Sequence, residues 1–222
     1  MTGRGLAAVL WDMDGTLIDS EPAWMRAQAA IVEEFGGTWT EADGLALVGT
    51  DMQATADALR DAGVPLDDDE IIDQLVEVVT RELDRSVDWR PGAVELVVAL
   101  RDAGVPQAIV TTSPRSMVAV VVAGLPDGAI KVTVTGDDVA CGKPDPEPYL
   151  LAAHLLGVGV ERCIAIEDSP TGLASAIAAG VVAIGVPNQA VLVEDGTWHR
   201  FESLVGVDVA ELTKGWPELR LT

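Results

Sequence analysis

The chain is poor in aromatic side chains, in cysteine and in positive charge. Phe, Trp and Tyr make up 4% of its 222 residues, with a single tyrosine. A core must therefore be packed mainly from Ala, Val, Leu and Ile. Lys and Arg number 14 against 36 Asp and Glu, for a formal charge of −22. That balance excludes the electrostatic footprint of a nucleic-acid or anionic-membrane binder. It also repels an anionic substrate at long range, so a phosphate site here needs local positive charge, most simply a metal ion and a lysine. Cys141 and Cys163 are the only cysteines and neither belongs to a CxxC pair. This excludes a disulfide framework and reads as two buried, reduced thiols. No apolar run approaches the roughly 20 residues that span a bilayer. The N-terminal apolar stretch is broken by Asp12 and Asp14, so it does not read as a signal peptide. The expectation is a cytoplasmic protein, with a monomer favoured.

What the chain does have is a 49% apolar composition and one abrupt junction. The apolar run Leu6 to Trp11 stops at two carboxylates one residue apart, Asp12 and Asp14, followed at once by Gly15 and Thr16. The run reads as a buried strand and Gly15 as the turn out of the sheet. Two acids at the carboxyl end of a buried strand are costly unless a cation or a reaction needs them there.

Two textures follow. Residues 19–87 carry helical patterns and no convincing strand, and read as an inserted helical cap domain. Ser20 is the expected N-cap of a first helix, with Pro22 in its first turn and Trp24, Ala27, Ile31, Val32 and Phe35 at helical spacing. Further helices are expected near 41–48, over 51–61, and after the acidic run Asp67 to Glu70. The last has Ile72, Leu75, Val76, Val79 and Leu83 as its stripe. Residues 1–18 and 88–222 read as the core domain. There, strands at 6–11, 107–110, 131–135, 163–166 and 181–186 alternate with helices at 91–103, 114–123, 146–156 and 170–179. This pattern predicts an α/β fold, a Rossmann-like parallel β-sheet core flanked by helices. The stretch 188–222 has two readings, a final strand and helix closing the core or a contact surface.

Ligands of such sheets bind beyond the carboxyl ends of the strands, and chemistry-bearing residues sit there. Asp12 and Asp14 follow strand one, Thr111 strand two, Lys143 the third, and Glu167 and Asp168 end the fourth. Mg²⁺ takes oxygen ligands; Asp12, Asp168 and a backbone carbonyl of the Asp12 to Asp14 turn could hold it. Lys143 and Thr111 would bind the non-bridging oxygens of a phosphoryl group, helped by backbone N–H groups of that turn and of Thr112. Asp12 could attack phosphorus and Asp14 could protonate the leaving oxygen, then activate water. The inventory suits phosphoryl transfer, which needs positioning and charge neutralisation above all.

These residues resemble the motifs of the haloacid dehalogenase superfamily of phosphohydrolases, in order and over nearly the whole chain. Asp12-Met13-Asp14-Gly15-Thr16 resembles the first motif, Thr111 the second, Lys143 in Gly-Lys-Pro-Asp-Pro-Glu the third, and Glu167-Asp168-Ser169-Pro170-Thr171-Gly172 the fourth. The resemblance implies a parallel-sheet core with an inserted helical cap, and Asp12 as nucleophile with Asp14 as acid/base. It also implies Mg²⁺ bound through Asp12, the Asp14 carbonyl and Asp168, with Glu167 at or near the metal. An acid at position 14 argues against a true dehalogenase. The segment Ile18 to Trp24 is similar to that of bacterial sugar-phosphate phosphatases, which implies a small phosphorylated metabolite as substrate. The β-phosphoglucomutase relatives carry a histidine, a lysine and an arginine in the cap, where this chain aligns Trp24, Val48 and Met52. That favours hydrolysis over phosphosugar mutation. Phosphoglycolate and nucleotide monophosphates stay open as substrates.

Several residues keep two readings. Glu167 is a direct metal ligand, a support behind the metal, or a structural acid. Trp24 faces substrate or staples the first cap helix. Ser113 and Arg115 neighbour Thr111 and are candidate substrate contacts. Val48, Gly49 and Thr50 read as a cap substrate loop or a helix break. Asp168 could instead cap the helix after it. Asp137 and Asp138 read as loop acids, His154 as packing on an apolar helix face, and His199 as part of an irregular segment.

Overall fold

The computed structural model describes residues 5–48, 50 and 52–220. Gly49 and Asp51, the centre of the expected cap loop and the expected start of the third helix, lie outside the described residues. The chain divides into two compact units, Met1–Ile18 with Trp89–Thr222, and Asp19–Asp88.

The chain opens with β1 (Ala8–Trp11) and then runs through the insert as α1 (Glu21–Glu34), α2 (Glu41–Leu45), α3 (Met52–Asp61) and α4 (Asp68–Arg85). It returns as α5 (Ala93–Asp102), β2 (Gln107–Val110), α6 (Arg115–Gly124), β3 (Val132–Val134), α7 (Glu147–Leu156), β4 (Cys163–Glu167), α8 (Pro170–Ala178), β5 (Val182–Gly185), β6 (His199–Arg200) and α9 (Val209–Leu212). Among the described residues the strands form one sheet in the order β3-β2-β1-β4-β5-β6, every pair parallel. This is the helix-flanked, Rossmann-like α/β fold. The 188–222 stretch supplies the sixth strand and α9. His199 therefore stands on β6, paired beside Ile184, rather than in irregular chain. Two ladder residues are too few to leave a periodic signal.

The sparse aromatic content shapes the packing. On one face of the sheet Ala8 and Leu10 of β1, Ala108 and Val110 of β2 and Ala165 of β4 meet Tyr149, Ala152 and Ala153 of α7 and Leu173 and Ala176 of α8. Alanines on both sides let helix and sheet approach closely. Alternation along β1 turns Val9 and Trp11 to the opposite side. There the Trp11 indole N–H donates to Gln107 Oε1 (2.9 Å), and Gln107 Nε2 donates to the Val97 carbonyl (3.0 Å), so both buried polar groups are satisfied.

In the insert, α2 and α4 begin with capping boxes, Thr40 with Asp43 and Asp67 with Glu70. The buried stripe of α4 is Ile71, Leu75, Val79 and Leu83; each such side chain contributes roughly 1.5–3 kcal/mol on burial. Ile71 takes the place expected of Ile72, and Val76 is only partly buried, because the i, i+4 row through Leu75, Val79 and Leu83 continues back to Ile71. Ser20 stands at the start of α1 but makes no side-chain cap, its backbone being already helical there (φ −85°, ψ −15°). Phe35 is 39% exposed just past the end of α1. Among the described residues no helix is long and apolar enough to cross a membrane.

Candidate active site

Strand order reverses between β1 and β4, and this is where an open parallel sheet leaves a crevice at its carboxyl edge. The register pairs Trp11 with Ile166, so Asp12 and Glu167 come next, side by side on the same face. The Asp12 N–H extends the ladder to the Ile166 carbonyl (3.0 Å). The chain then turns sharply: Leu17 N donates to Met13 O (2.9 Å) and Gly15 N to Ile18 O (2.7 Å). Gly15 has φ +86°, and a Cβ there would lie 2.0 Å from Asp168 Oδ2. The turn thus needs glycine for its backbone and for the space Asp168 fills.

Lys143 reaches this edge from the loop before α7. Glu147 fixes the loop by accepting the N–H groups of Ala140 (3.0 Å) and Cys141 (2.8 Å). The Lys143 ammonium, its side chain 5% exposed, donates to Asp12 Oδ1 and to Glu167 Oε1, both at 2.6 Å. Glu167 is fully buried and also accepts from the Tyr149 hydroxyl (2.5 Å) and, on Oε2, from the Ser169 hydroxyl (3.3 Å). A Cβ on Gly172, in the first turn of α8, would lie 2.0 Å from that carboxylate. Glycine there opens the helix N-terminus to the acid, an end that favours negative charge. Ser169, not Asp168, caps α8, accepting from Gly172 N (3.1 Å). Asp168 is thereby left free of the capping role.

On the other side, the N–H of Thr111 continues the β2–β3 ladder to the Val134 carbonyl (3.0 Å). Its hydroxyl donates to Asp14 Oδ2 (3.3 Å) and accepts from Ser113 N (3.0 Å), while the Ser113 hydroxyl donates to the same Asp14 oxygen (2.6 Å). Thr111 and Ser113 therefore meet Asp14.

One ammonium pairs with Asp12 and Glu167 while Asp168 adds a third, partly buried acid, and the electrostatics reflect it. Burial first, then the Asp12 charge, pushes Glu167 up to about 7 in spite of Lys143. Burial and the charges of Asp12 and Glu167 push Asp168 up to about 8. Burial alone would lower the Lys143 ammonium; the two carboxylates override it and hold the group above its ordinary value. Burial and the Glu167 charge raise the Tyr149 hydroxyl, which keeps its proton to donate. Asp12, Glu167 and Asp168 each offer a carboxylate oxygen within 4.8 Å of the others, a spacing one metal ion can span. Asp12 Oδ2 is a buried oxygen without a hydrogen-bond partner.

Other expected residues lie elsewhere. Arg115 pairs with Asp138 Oδ1 (2.5 Å), and its N–H donates to Asp137 (2.8 Å). Asp138 also accepts from the Thr135 N–H and hydroxyl, so both loop acids hold the 136–138 turn. Thr112 is exposed beside the site. Trp24 is buried on α1 of the insert. Cys141 is exposed rather than buried, and His154 is exposed in the last turn of α7 rather than packed on an apolar face. Sequence reading missed Tyr149, Ser169 as a Glu167 partner, and Asn188, whose amide nitrogen would lie 3.2 Å from a Cβ on Gly15. For Tyr149 a signal existed, since it is the only tyrosine and sits in an apolar helix stripe.

A family model described as haloacid dehalogenase-like hydrolase matches residues 6–180. The chain is 35% identical over 188 residues to hexitol phosphatase A of Escherichia coli (strain K12), covering 80% of this chain and 82% of that protein. It is 30% identical over 178 residues to a phosphorylated carbohydrates phosphatase of Thermotoga maritima, covering 79% and 82%. A crystal structure of a CbbY mutant from Rhodobacter sphaeroides, in complex with xylulose-(1,5)bisphosphate, is similar with a TM-score of 0.79 and 27% identity, covering 90% of this chain and 96% of that one.

Proposed function

The chain belongs to the haloacid dehalogenase-like hydrolases, and on that premise we propose that it hydrolyses the phosphate monoester of a small metabolite, a sugar or polyol phosphate, through an aspartyl-phosphate on Asp12. The observation that carries this reading is the asymmetry of Asp12. One carboxylate oxygen is pinned by Lys143 at 2.6 Å and the other is buried with no hydrogen-bond partner. A carboxylate held by one oxygen and free at the other is oriented for attack.

The chemistry runs in two displacements. An Asp12 oxygen forms a bond to phosphorus as the ester P–O bond breaks, and Asp14 gives its proton to the departing oxygen. Asp14 then takes a proton from water, whose oxygen displaces Asp12 and releases inorganic phosphate. Thr111 and Ser113 hold Asp14 through its Oδ2. Lys143 has three N–H bonds, two of them used by Asp12 and Glu167, and the third is assigned to a phosphoryl oxygen.

The donor set fits Mg²⁺. It consists of hard carboxylate oxygens from three acids close enough for one ion, beside a turn in which a Cβ on Gly15 would collide with Asp168. Asp12, Asp168 and the Asp14 carbonyl would hold the ion, with Glu167 beside them. When bound, it would neutralise charge on the phosphoryl group and the clustered acids. The names of the two phosphatase relatives support a carbohydrate phosphate as substrate, and the helical insert is assigned the role of cap.

Phosphate release from a panel of sugar, polyol, glycolate and nucleoside monophosphates, with Mg²⁺ present, tests the reading. Turnover is expected on the sugar or polyol esters and should drop by at least about a thousandfold in Asp12→Asn. Unchanged release in that variant would falsify the aspartyl-phosphate, and isomer formation without net phosphate release would mark a mutase.

A further inference from the structure

We propose that Tyr149 is a positioning residue for the phosphoryl-transfer site, holding the Glu167 carboxylate so that the Lys143 ammonium stays on Asp12. The proposal rests on the phosphohydrolase reading above. Tyr149 is fully buried in α7, the helix that follows the Lys143 loop, so one short segment carries both side chains. Its hydroxyl donates to Glu167 Oε1 at 2.5 Å, the same oxygen that accepts from Lys143 at 2.6 Å. Its ring lies beneath the ammonium, 5.4 Å from Nζ to the centroid, within cation–π range. Ser169 holds the second Glu167 oxygen.

Two donors on Oε1 share its charge. Without the hydroxyl, that oxygen would face the lysine alone and draw the ammonium away from Asp12 Oδ1, now 2.6 Å distant. Tyr149 thus acts through Glu167 and Lys143 and has no contact of its own with Asp12 among the described hydrogen bonds. A side chain of this kind affects the transition state more than ground-state binding, because the position of the ammonium matters most when charge on the phosphoryl oxygens and on Asp12 is being redistributed.

The test is Tyr149→Phe, which keeps the ring and its packing and removes only the O–H. We expect kcat to fall about tenfold, the size of one hydrogen bond to a charged group, with KM within about twofold. The chain has three lysines, Lys131, Lys143 and Lys214, and of these Lys131 and Lys214 are exposed. In a lysine side-chain nitrogen-15 spectrum, Lys143 should give the one slowly exchanging ammonium signal, and that signal should broaden or vanish in the variant. A kcat within about twofold of the parent overturns the proposal, as does a fall in kcat with the Lys143 signal unmoved. If the parent turns over no phosphate ester, the functional reading fails, while loss of the lysine signal in the variant still supports the arrangement. Should Tyr149→Phe not fold, meta-fluorotyrosine labels this single site in an otherwise unchanged chain. Its fluorine-19 resonance is expected to move on Glu167→Gln, and a resonance that stays put overturns the proposal.

Discussion

The core unit and the insert handle charge in opposite ways. In the core, Asp12 and Glu167 are 7% and 0% exposed and share one lysine whose side chain is 5% exposed. In the insert, no charged side chain is buried among the described residues. Its ion pairs among the described residues, Arg26 with Glu82, Arg60 with Asp57 and Asp68, and Arg81 with Glu77, lie at the surface. Asp43 and Asp67 take part in the capping boxes of α2 and α4. Burying a charge is strongly unfavourable unless it is paired and hydrogen-bonded. The insert therefore keeps its charges in water, whereas the core keeps a cluster that packing alone would not select. The contrast marks the candidate site without reference to any motif.

Removing the cation from the buried cluster should break the contrast most severely. Lys143→Met leaves Glu167 and Asp12 adjacent and unpaired. In metal-free buffer, urea denaturation should show a loss of about 3 kcal/mol or more. A variant as stable as the parent would mean that the acids are solvated after all.

The pH dependence of the metal-free protein gives a second, smaller effect. Glu167 rises from an ordinary 4.5 to about 7 and Asp168 from 3.8 to about 8. Both acids bind their protons more tightly when folded. Their contribution to stability is fully present below about pH 4 and is lost as pH rises through about 7 to 8. With chelator present, the urea midpoint should fall between about pH 5 and about pH 8.5, and Mg²⁺ should remove much of that fall. A midpoint that rises over this range contradicts the burial of these two carboxyls.

On the insert the effects should be slight and independent of the site. Asp67→Ala removes one capping box and should lower the opening free energy of α4 amides, read by hydrogen exchange, by about 1 kcal/mol. Turnover is expected to stay unchanged in this variant. Arg26→Ala should cost less than about 1 kcal/mol, and still less in high salt, because its pair with Glu82 is largely solvated. A loss as large as that of Lys143→Met would erase the distinction between the two units.

The alternation of strands and helices was readable because each buried strand is a short apolar run closed by a turn signal, from Leu6 to Trp11 onward. The acids Asp12, Asp14, Glu167 and Asp168 were readable because they stand where such runs stop. Less was readable where one residue serves several neighbours. Ile71 and Ile72 are equivalent in pattern, and only contact with the other helices chooses between them. The strand at His199–Arg200 pairs with β5 beside Gly185, where a Cβ would come 2.5 Å from the Trp198 ring, a fit that local sequence does not encode.

The sequence by itself determined the order of elements, the sheet type and the set of groups gathered at its carboxyl edge, because periodicity and turn chemistry act between near neighbours. Only the tertiary structure decided how those groups pair: Lys143 between Asp12 and Glu167, Tyr149 beneath it, Ser113 on Asp14, and Arg115 turned to Asp138. Pairing depends on ångström distances between residues far apart in the chain, and these arise from strand register and helix packing.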